Sequence, residues 1–141
     1  MKLEDLEVYN LSMNLSDKVW DFVITWEYFA KDTIGKQWVR ASDSVSANIS
    51  EGFGRNTYKD SRVFYYIARG SLYESKTWLT KAKRRKLITV DDYQTLFTEH
   101  NVLGFKLNNF IKAQTNLINS TQPKKNSQKD SQKDSQKDSE K

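Results

Sequence analysis

The sequence predicts an all-α protein, an antiparallel up-down-up-down four-helix bundle followed by a disordered C-terminal tail. Three observations carry this. The 141 residues contain a single proline, so almost nothing interrupts a helix. Apolar residues recur at three- and four-residue steps over long stretches, the period of one helix face. Beyond Pro123 apolar residues cease and SQKD repeats three times, at Ser127–Asp130, Ser131–Asp134 and Ser135–Asp138. With nothing to bury, such a segment cannot offset its ordering entropy. Residues 1–120 are therefore expected to form the bundle. Residues 121–141 are expected to be a disordered low-complexity tail, each repeat internally neutral and the whole solubilising.

The first helix is expected from about Leu6 to Phe29, with Leu11, Leu15, Val19, Phe22, Trp26 and Phe29 on its apolar face. The second runs from about Lys36 to Phe53, burying Trp38, Ala41, Val45, Ile49 and Gly52. The segment EGFGR ends it, with Gly52 or Gly54 suited to the left-handed C-terminal position. The third starts after Thr57, with Asp60 three residues on as a variant capping box. It continues to about Lys86, with Phe64, Ile67, Leu72, Ser75, Trp78 and Ala82 facing inward. The fourth starts after Thr89, with Asp91 and Asp92 in the first turn, where the helix dipole favours acids. Its inner face is Tyr93, Leu96, His100, Leu103, Leu107 and Phe110, continuing to Ile111 and Leu117. Short loops near 31–35, 54–57 and 87–89 make successive helices antiparallel neighbours.

Composition excludes several function classes. There is no cysteine and one histidine, so no disulfide framework or Cys-based zinc or redox site is possible. No metal or cofactor is expected, and His100 reads as a satisfied core residue. No apolar run approaches the length of a membrane span. The start, MKLEDLEVYN, lacks the apolar core of a secretory signal. A cytoplasmic, membrane-free setting is the default.

Charge is concentrated. Residues 55–86 hold ten basic and two acidic groups, a net of +8, while the whole chain carries +5. Within that segment Arg55, Arg62, Arg69, Lys76 and Lys83 are spaced by seven. A helix drifts only about 20° per seven residues, so these cations form one slowly winding stripe. Tyr66 and Tyr73 lie within it, and Arg84 and Arg85 belong to the basic cluster at its end. Guanidinium groups pair with phosphates and tyrosines stack on unpaired bases. The same pattern also suits a subunit interface, where Arg and Tyr are enriched, or a solvated face whose terminal cluster complements the dipole.

Two other groupings stand out. Gln37, Ser44, Asn48 and Glu51 make a polar seam beside the apolar face of the second helix, read as an interhelical hydrogen-bond network that fixes register. Glu51 in a last turn opposes the dipole and needs a partner, with Arg55 a candidate. No second acid, base or nucleophile is paired with it by spacing, so no catalytic residues are assigned and no enzyme is expected. EGFGR followed by NTYKD lacks the Gly-Lys-Ser/Thr of a phosphate loop and reads as a tight turn.

The stretches GKQWVRASDSVSANISEGFGR, Gly35–Arg55, and YIARGSLYESKTWL, Tyr66–Leu79, resemble the signature of the four-helix-bundle family of 23S rRNA intervening-sequence proteins. That family is related to the accessory variability determinant proteins of diversity-generating retroelements. Gln37, Ala41, Ser44, Asn48, Glu51, Gly52, Gly54 and Arg55 match the first motif; Arg69, Gly70, Ser71, Leu72 and Glu74 match the second. The resemblance implies homo-oligomers, often a pentameric ring with a basic surface. The original members are encoded within insertions in ribosomal RNA genes, and the retroelement members bind nucleic acid and a reverse transcriptase.

The expectation is thus a non-enzymatic, oligomeric bundle that binds nucleic acid, RNA rather than DNA, through Arg55, Arg62, Tyr66, Arg69, Tyr73, Lys76, Lys83, Arg84 and Arg85. The alternative is a protein-interaction scaffold or accessory subunit whose stripe meets an acidic partner or a neighbouring subunit.

Overall fold

The computed structural model describes residues 1–120 and Lys124. Four long helices dominate: α1 (Glu7–Val23), α2 (Lys36–Phe53), α3 (Tyr58–Arg84) and α4 (Val90–Asn119). A 3-10 turn, Leu3–Asp5, precedes α1, and no strand occurs among the described residues. Each helix packs on its neighbours in the chain, and α1 also meets α4, closing the bundle. Ion pairs from Lys18 to Glu99 and from Glu7 to Lys106 show α1 and α4 running antiparallel.

Capping follows the sequence at two helices. Thr57 and Thr89 accept from the backbone N–H groups of Asp60 and Asp92, at 3.1 Å each. These satisfy donors that the first turn of a helix leaves without intrahelical partners. At the end of α3, Lys86 has φ 58°, and Leu87 N–H bonds to the Ala82 carbonyl at 2.9 Å. This is a Schellman-type stop, with lysine where glycine is usual.

The first interhelical break falls earlier than expected. Helix α1 stops at Val23, and residues 31–35, expected to be a loop, form a π-helical segment that leads from a turn at Tyr28–Ala30 into α2. The cause is close packing at the corner. Trp26 folds in and stacks on Trp38 with ring centroids 5.8 Å apart. Gly35 lies against that corner, where a Cβ would come within 2.7 Å of the Val23 side chain. Glycine is here for proximity, not as a helix breaker. Phe29, expected in the core, is 80% exposed.

The inner face of α2 is as expected: Trp38, Ala41, Val45, Ile49 and Gly52 are buried. The inner face of α3 is corrected. Ser61, Tyr65, Ala68, Leu72, Ser75, Leu79 and Ala82 are buried, whereas Ile67 is exposed and Phe64 and Trp78 are half-buried. Small residues line the contact because α2 and α3 approach closely. A Cβ on Gly52 would meet the Tyr65 ring at 2.6 Å and the Ser61 carbonyl at 2.9 Å. Tyr65 in turn packs edge-on against Phe110, with centroids 4.8 Å apart. Burial pushes its phenol up to about 12.

Neither Gly52 nor Gly54 takes the left-handed position expected of it; no glycine has positive φ. The end of α2 is instead closed by a cation. The buried ammonium of Lys124 shares its three N–H groups among four acceptors: the carbonyls of Gly52 at 3.2 Å and Phe53 at 3.0 Å, that of Arg55, and Ser61 Oγ at 2.6 Å. A positive group on the last carbonyls of a helix satisfies them and complements the dipole. Burial pulls this lysine down to about 8. The rest of the tail expected at 121–141 lies outside the described residues.

A polar run crosses the core. Trp38 Nε1 donates to Ser75 Oγ at 3.2 Å, and Ser75 Oγ lies 2.8 Å from His100 Nε2. His100 Nδ1 lies 2.7 Å from the Leu96 carbonyl. A carbonyl can only accept, so Nδ1 carries the proton and Nε2 accepts from the Ser75 hydroxyl. Every polar atom in the run is satisfied. Burial, assisted by the nearby Lys76 charge, lowers the pKa of His100 against the opposing effects of its backbone hydrogen bond and Glu99.

Two stability predictions follow from this packing. Gly52→Ala should cost about 1–3 kcal/mol through overpacking. Gly70→Ala, with no atom within 4 Å of its Cβ, should gain about 0.5–1 kcal/mol of helix propensity; urea denaturation of the pair checks the contrast. The second concerns pH. Because the folded-state pKa of His100 lies below its ordinary 6.5, the unfolded chain takes up the proton first. The contribution is present above pH 6.5 and is lost as pH falls from there toward the folded-state value. Thermal melts from about pH 7.5 to 5.5 should show a decline that is smaller in His100→Gln.

Candidate functional site

The five heptad-spaced cations do not share one environment. Arg62, Arg69, Lys76 and Lys83 are half-buried along the groove between α3 and α4, and Arg55 is exposed in the turn before α3. Arg62 donates to Thr115 Oγ1 at 3.1 Å, Arg69 to Asn108 Oδ1 at 3.4 Å and Lys76 to Asn101 Oδ1 at 2.6 Å. The partners on α4 are also spaced by seven and run in the opposite direction. The antiparallel helices thus form a ladder with a cation on one rail and a neutral acceptor on the other.

Aromatic faces complete the support. Arg62 and Arg69 lie over the Tyr66 ring at 5.9 and 4.9 Å from its centroid. Lys76 lies over Phe97 at 4.6 Å and Lys83 over Tyr93 at 4.3 Å. Such contacts hold a cation through the ring quadrupole without neutralising it. Among the described residues none of these four is in an ion pair; the pairs formed use Lys18, Lys36, Arg55 and Lys106. Of the two acids on α3, Glu74 accepts from Trp78 Nε1 at 3.3 Å, and Asp60 lies in the first turn. The positive charge of the groove is therefore positioned and uncompensated.

Arg55 differs. Its guanidinium pairs with Glu51 at 2.7 Å and lies 4.5 Å from the Phe64 centroid. This is the partner that Glu51 needs in the last turn of α2, and it cancels the charge of Arg55 locally. Arg84 and Arg85 are exposed at the end of α3, where cations complement the dipole. The tyrosines also divide. Tyr66 supports two arginines, whereas Tyr73 is 63% exposed beside the groove.

The polar seam on α2 forms in part. Ser44 Oγ and Ser71 Oγ are 2.9 Å apart, joining α2 to α3, and Asn48 Nδ2 donates to the carbonyl of Ser44 at 2.8 Å and to its Oγ at 2.9 Å. Gln37 is exposed and stands apart from the network. Among the described residues no group of His, Cys, Asp and Glu is placed to hold a metal ion. No helix there is long and apolar enough to cross a membrane.

The residues that sequence reasoning missed are on α4: Asn101, Asn108 and Thr115, and the exposed Phe105. Their signals were present. The first three repeat the spacing of the basic stripe, and Phe105 interrupts the pattern of buried Leu103 and Leu107 with a large aromatic pointing outward.

The closed four-helix topology and the close α2–α3 turn place the molecule among small all-α helical bundles. The chain belongs to the family of 23S rRNA-intervening sequence proteins, which matches it over residues 4–109. It is also similar to a solved protein of unknown function from the S23 ribosomal protein family of Bacteroides thetaiotaomicron. The two are 22% identical with a TM-score of 0.68, covering 74% of this chain and 98% of that one. That likeness supports the fold alone. No curated protein matches the sequence. Neither match bears on the retroelement accessory proteins.

The rungs of the ladder are solvent-reached contacts between a charged and a neutral group. Arg62→Gln or Arg69→Gln should therefore lower stability by less than about 1 kcal/mol, as measured by urea denaturation. Such variants keep the bundle while removing charge.

Proposed function

We propose that this protein is a non-enzymatic cytoplasmic nucleic-acid-binding bundle, with structured RNA as its ligand and the α3–α4 groove as its contact surface. The observation that carries this reading is the row Arg62, Arg69, Lys76 and Lys83, fixed by amides, a hydroxyl and aromatic rings and matched by no carboxylate among the described residues. Pre-positioned, unneutralised cations are what a phosphate backbone requires. The row spans 21 residues, about 31 Å of helix. Arg84 and Arg85 extend it, and Arg55, paired with Glu51, contributes little. In an oligomer the row would be repeated by symmetry.

Self-association has its own support elsewhere. Trp20, Ile24, Tyr28 and Phe29 are exposed around the α1–α2 corner, away from the groove. An apolar cluster of this kind suits a subunit contact, and the pentamer implied by the family resemblance is the state expected. The alternative, a scaffold that meets an acidic protein partner through the stripe, uses the same cations and is separated by what co-purifies.

Titration of purified protein with a structured RNA should show affinity falling about 50- to 150-fold between 50 and 200 mM salt if four phosphates are contacted. The double variant Arg62→Glu, Arg69→Glu should abolish binding with the native mass unchanged. Absence of binding at low salt would overturn this reading, and dissociation of the oligomer by those changes would assign the stripe to a protein interface instead.

A further inference from the structure

Beside the cation row, α3 and α4 enclose a cleft of about 170 Å³. Its floor is formed by Leu72 and His100, both buried. Gly104 lines it, where a Cβ would meet Leu72 Cδ2 at 3.6 Å and a larger side chain would extend into the cleft. Tyr73 of α3 and Phe105 of α4 line the two sides and are 63% and 68% exposed. Neither ring carries a cation, unlike Tyr66, Phe97 and Tyr93. Two large aromatic surfaces on opposite helices, left to water, contribute nothing to the core.

The polar groups of the cleft have a direction. The Asn101 and Asn108 carbonyl oxygens accept from Lys76 and Arg69, which leaves the two amide NH2 groups as donors with no acceptor among the described residues. Both cations also line the cleft. The surface thus offers flat apolar faces, N–H donors and positive charge, and no carboxylate. Resting on the nucleic-acid reading above and deepening it, we infer that this cleft takes one unpaired nucleobase of a single-stranded segment. The base lies between Tyr73 and Phe105, with its flanking phosphates at Arg69 and Lys76. With the amide donors set at the position-4 edge of the base, uracil, whose O4 accepts, is preferred to cytosine, whose amino group there can only donate.

Fluorescence anisotropy with labelled eight-nucleotide oligouridine, eight-nucleotide oligocytidine and a blunt RNA duplex tests this on the intact protein. Oligouridine should bind about 2- to 12-fold more tightly than oligocytidine, the range of one hydrogen bond. Phe105→Ala should weaken oligouridine binding about 5- to 150-fold, the range of one base–aromatic stack, and leave duplex binding unchanged. Gly104→Leu, which fills the cleft with a good helix former, should do the same; Phe105→Ala decides the matter if that variant does not fold. Duplex binding that is sensitive to Arg62→Glu, Arg69→Glu, together with oligouridine binding indifferent to Phe105→Ala, would overturn the cleft and leave the stripe standing. Equal binding of the two oligonucleotides would overturn the selection of acceptor edges. Failure of every probe to bind at low salt would overturn both readings.

Discussion

Trp38 of α2, Ser75 of α3 and His100 of α4 are joined in one buried hydrogen-bonded run, and that run admits a single register. Sliding a helix by one residue swings each side chain by about 100° around the axis. An indole N–H, a hydroxyl or a ring nitrogen would then lie unpaired in an apolar core, at about 1–3 kcal/mol each. The surface ladder inherits this register. Lys76 and Asn101 directly follow Ser75 and His100 in their helices, so fixing the buried pair places the exposed pair opposite each other. Arg69 with Asn108, and Arg62 with Thr115, follow at successive heptads. Core polarity and surface charge are thereby two expressions of one alignment.

Much of this was legible in the sequence, for reasons that can be named. Four helices, their two threonine caps and the inner faces of α2 and α4 follow from local rules: spacing, capping chemistry and dipole complementarity. Failures occurred where contacts between helices overrode those rules. Residues 31–35 read locally as a loop, yet the corner of Val23 and Trp26 requires Gly35 inside a helical segment. The face of α3 was misplaced in part because the large apolar Phe64 and Ile67 were favoured over Ser61 and Ala68, whose smallness the approach of α2 demands. The heptad stripe was visible, its division only in part. The pairing of Arg55 with Glu51 was suggested by their spacing, but only the spatial positions of Tyr66 and α4 show Arg62, Arg69 and Lys76 held without an ion pair among the described residues.

Holding like charges in a row is electrostatically unfavourable, and among the described residues the row is held without carboxylates. The rungs use amides and a hydroxyl, and the rings of Tyr66, Phe97 and Tyr93 supply quadrupoles. These partners restrict the long side chains in advance, reducing the ordering cost of any later contact. A surface of Lys–Glu pairs would order the same side chains but cancel the field that draws an anion.

The ammonium that closes α2 comes from Lys124, 72 positions after Gly52 in the chain. Most caps are supplied by residues adjacent to the helix they close and form with its first turns. This one can engage only after α3 and α4 have folded back, since the chain between must bring Lys124 to the α2–α3 turn. The Gly52 carbonyl also accepts from Arg55 N–H at 3.2 Å, and closing the rest of the helix end from so far along the chain carries the entropy of a long loop. The α2 cap is therefore a property of the whole bundle rather than of the helix it closes, because no stretch of this chain ending before Lys124 can supply it.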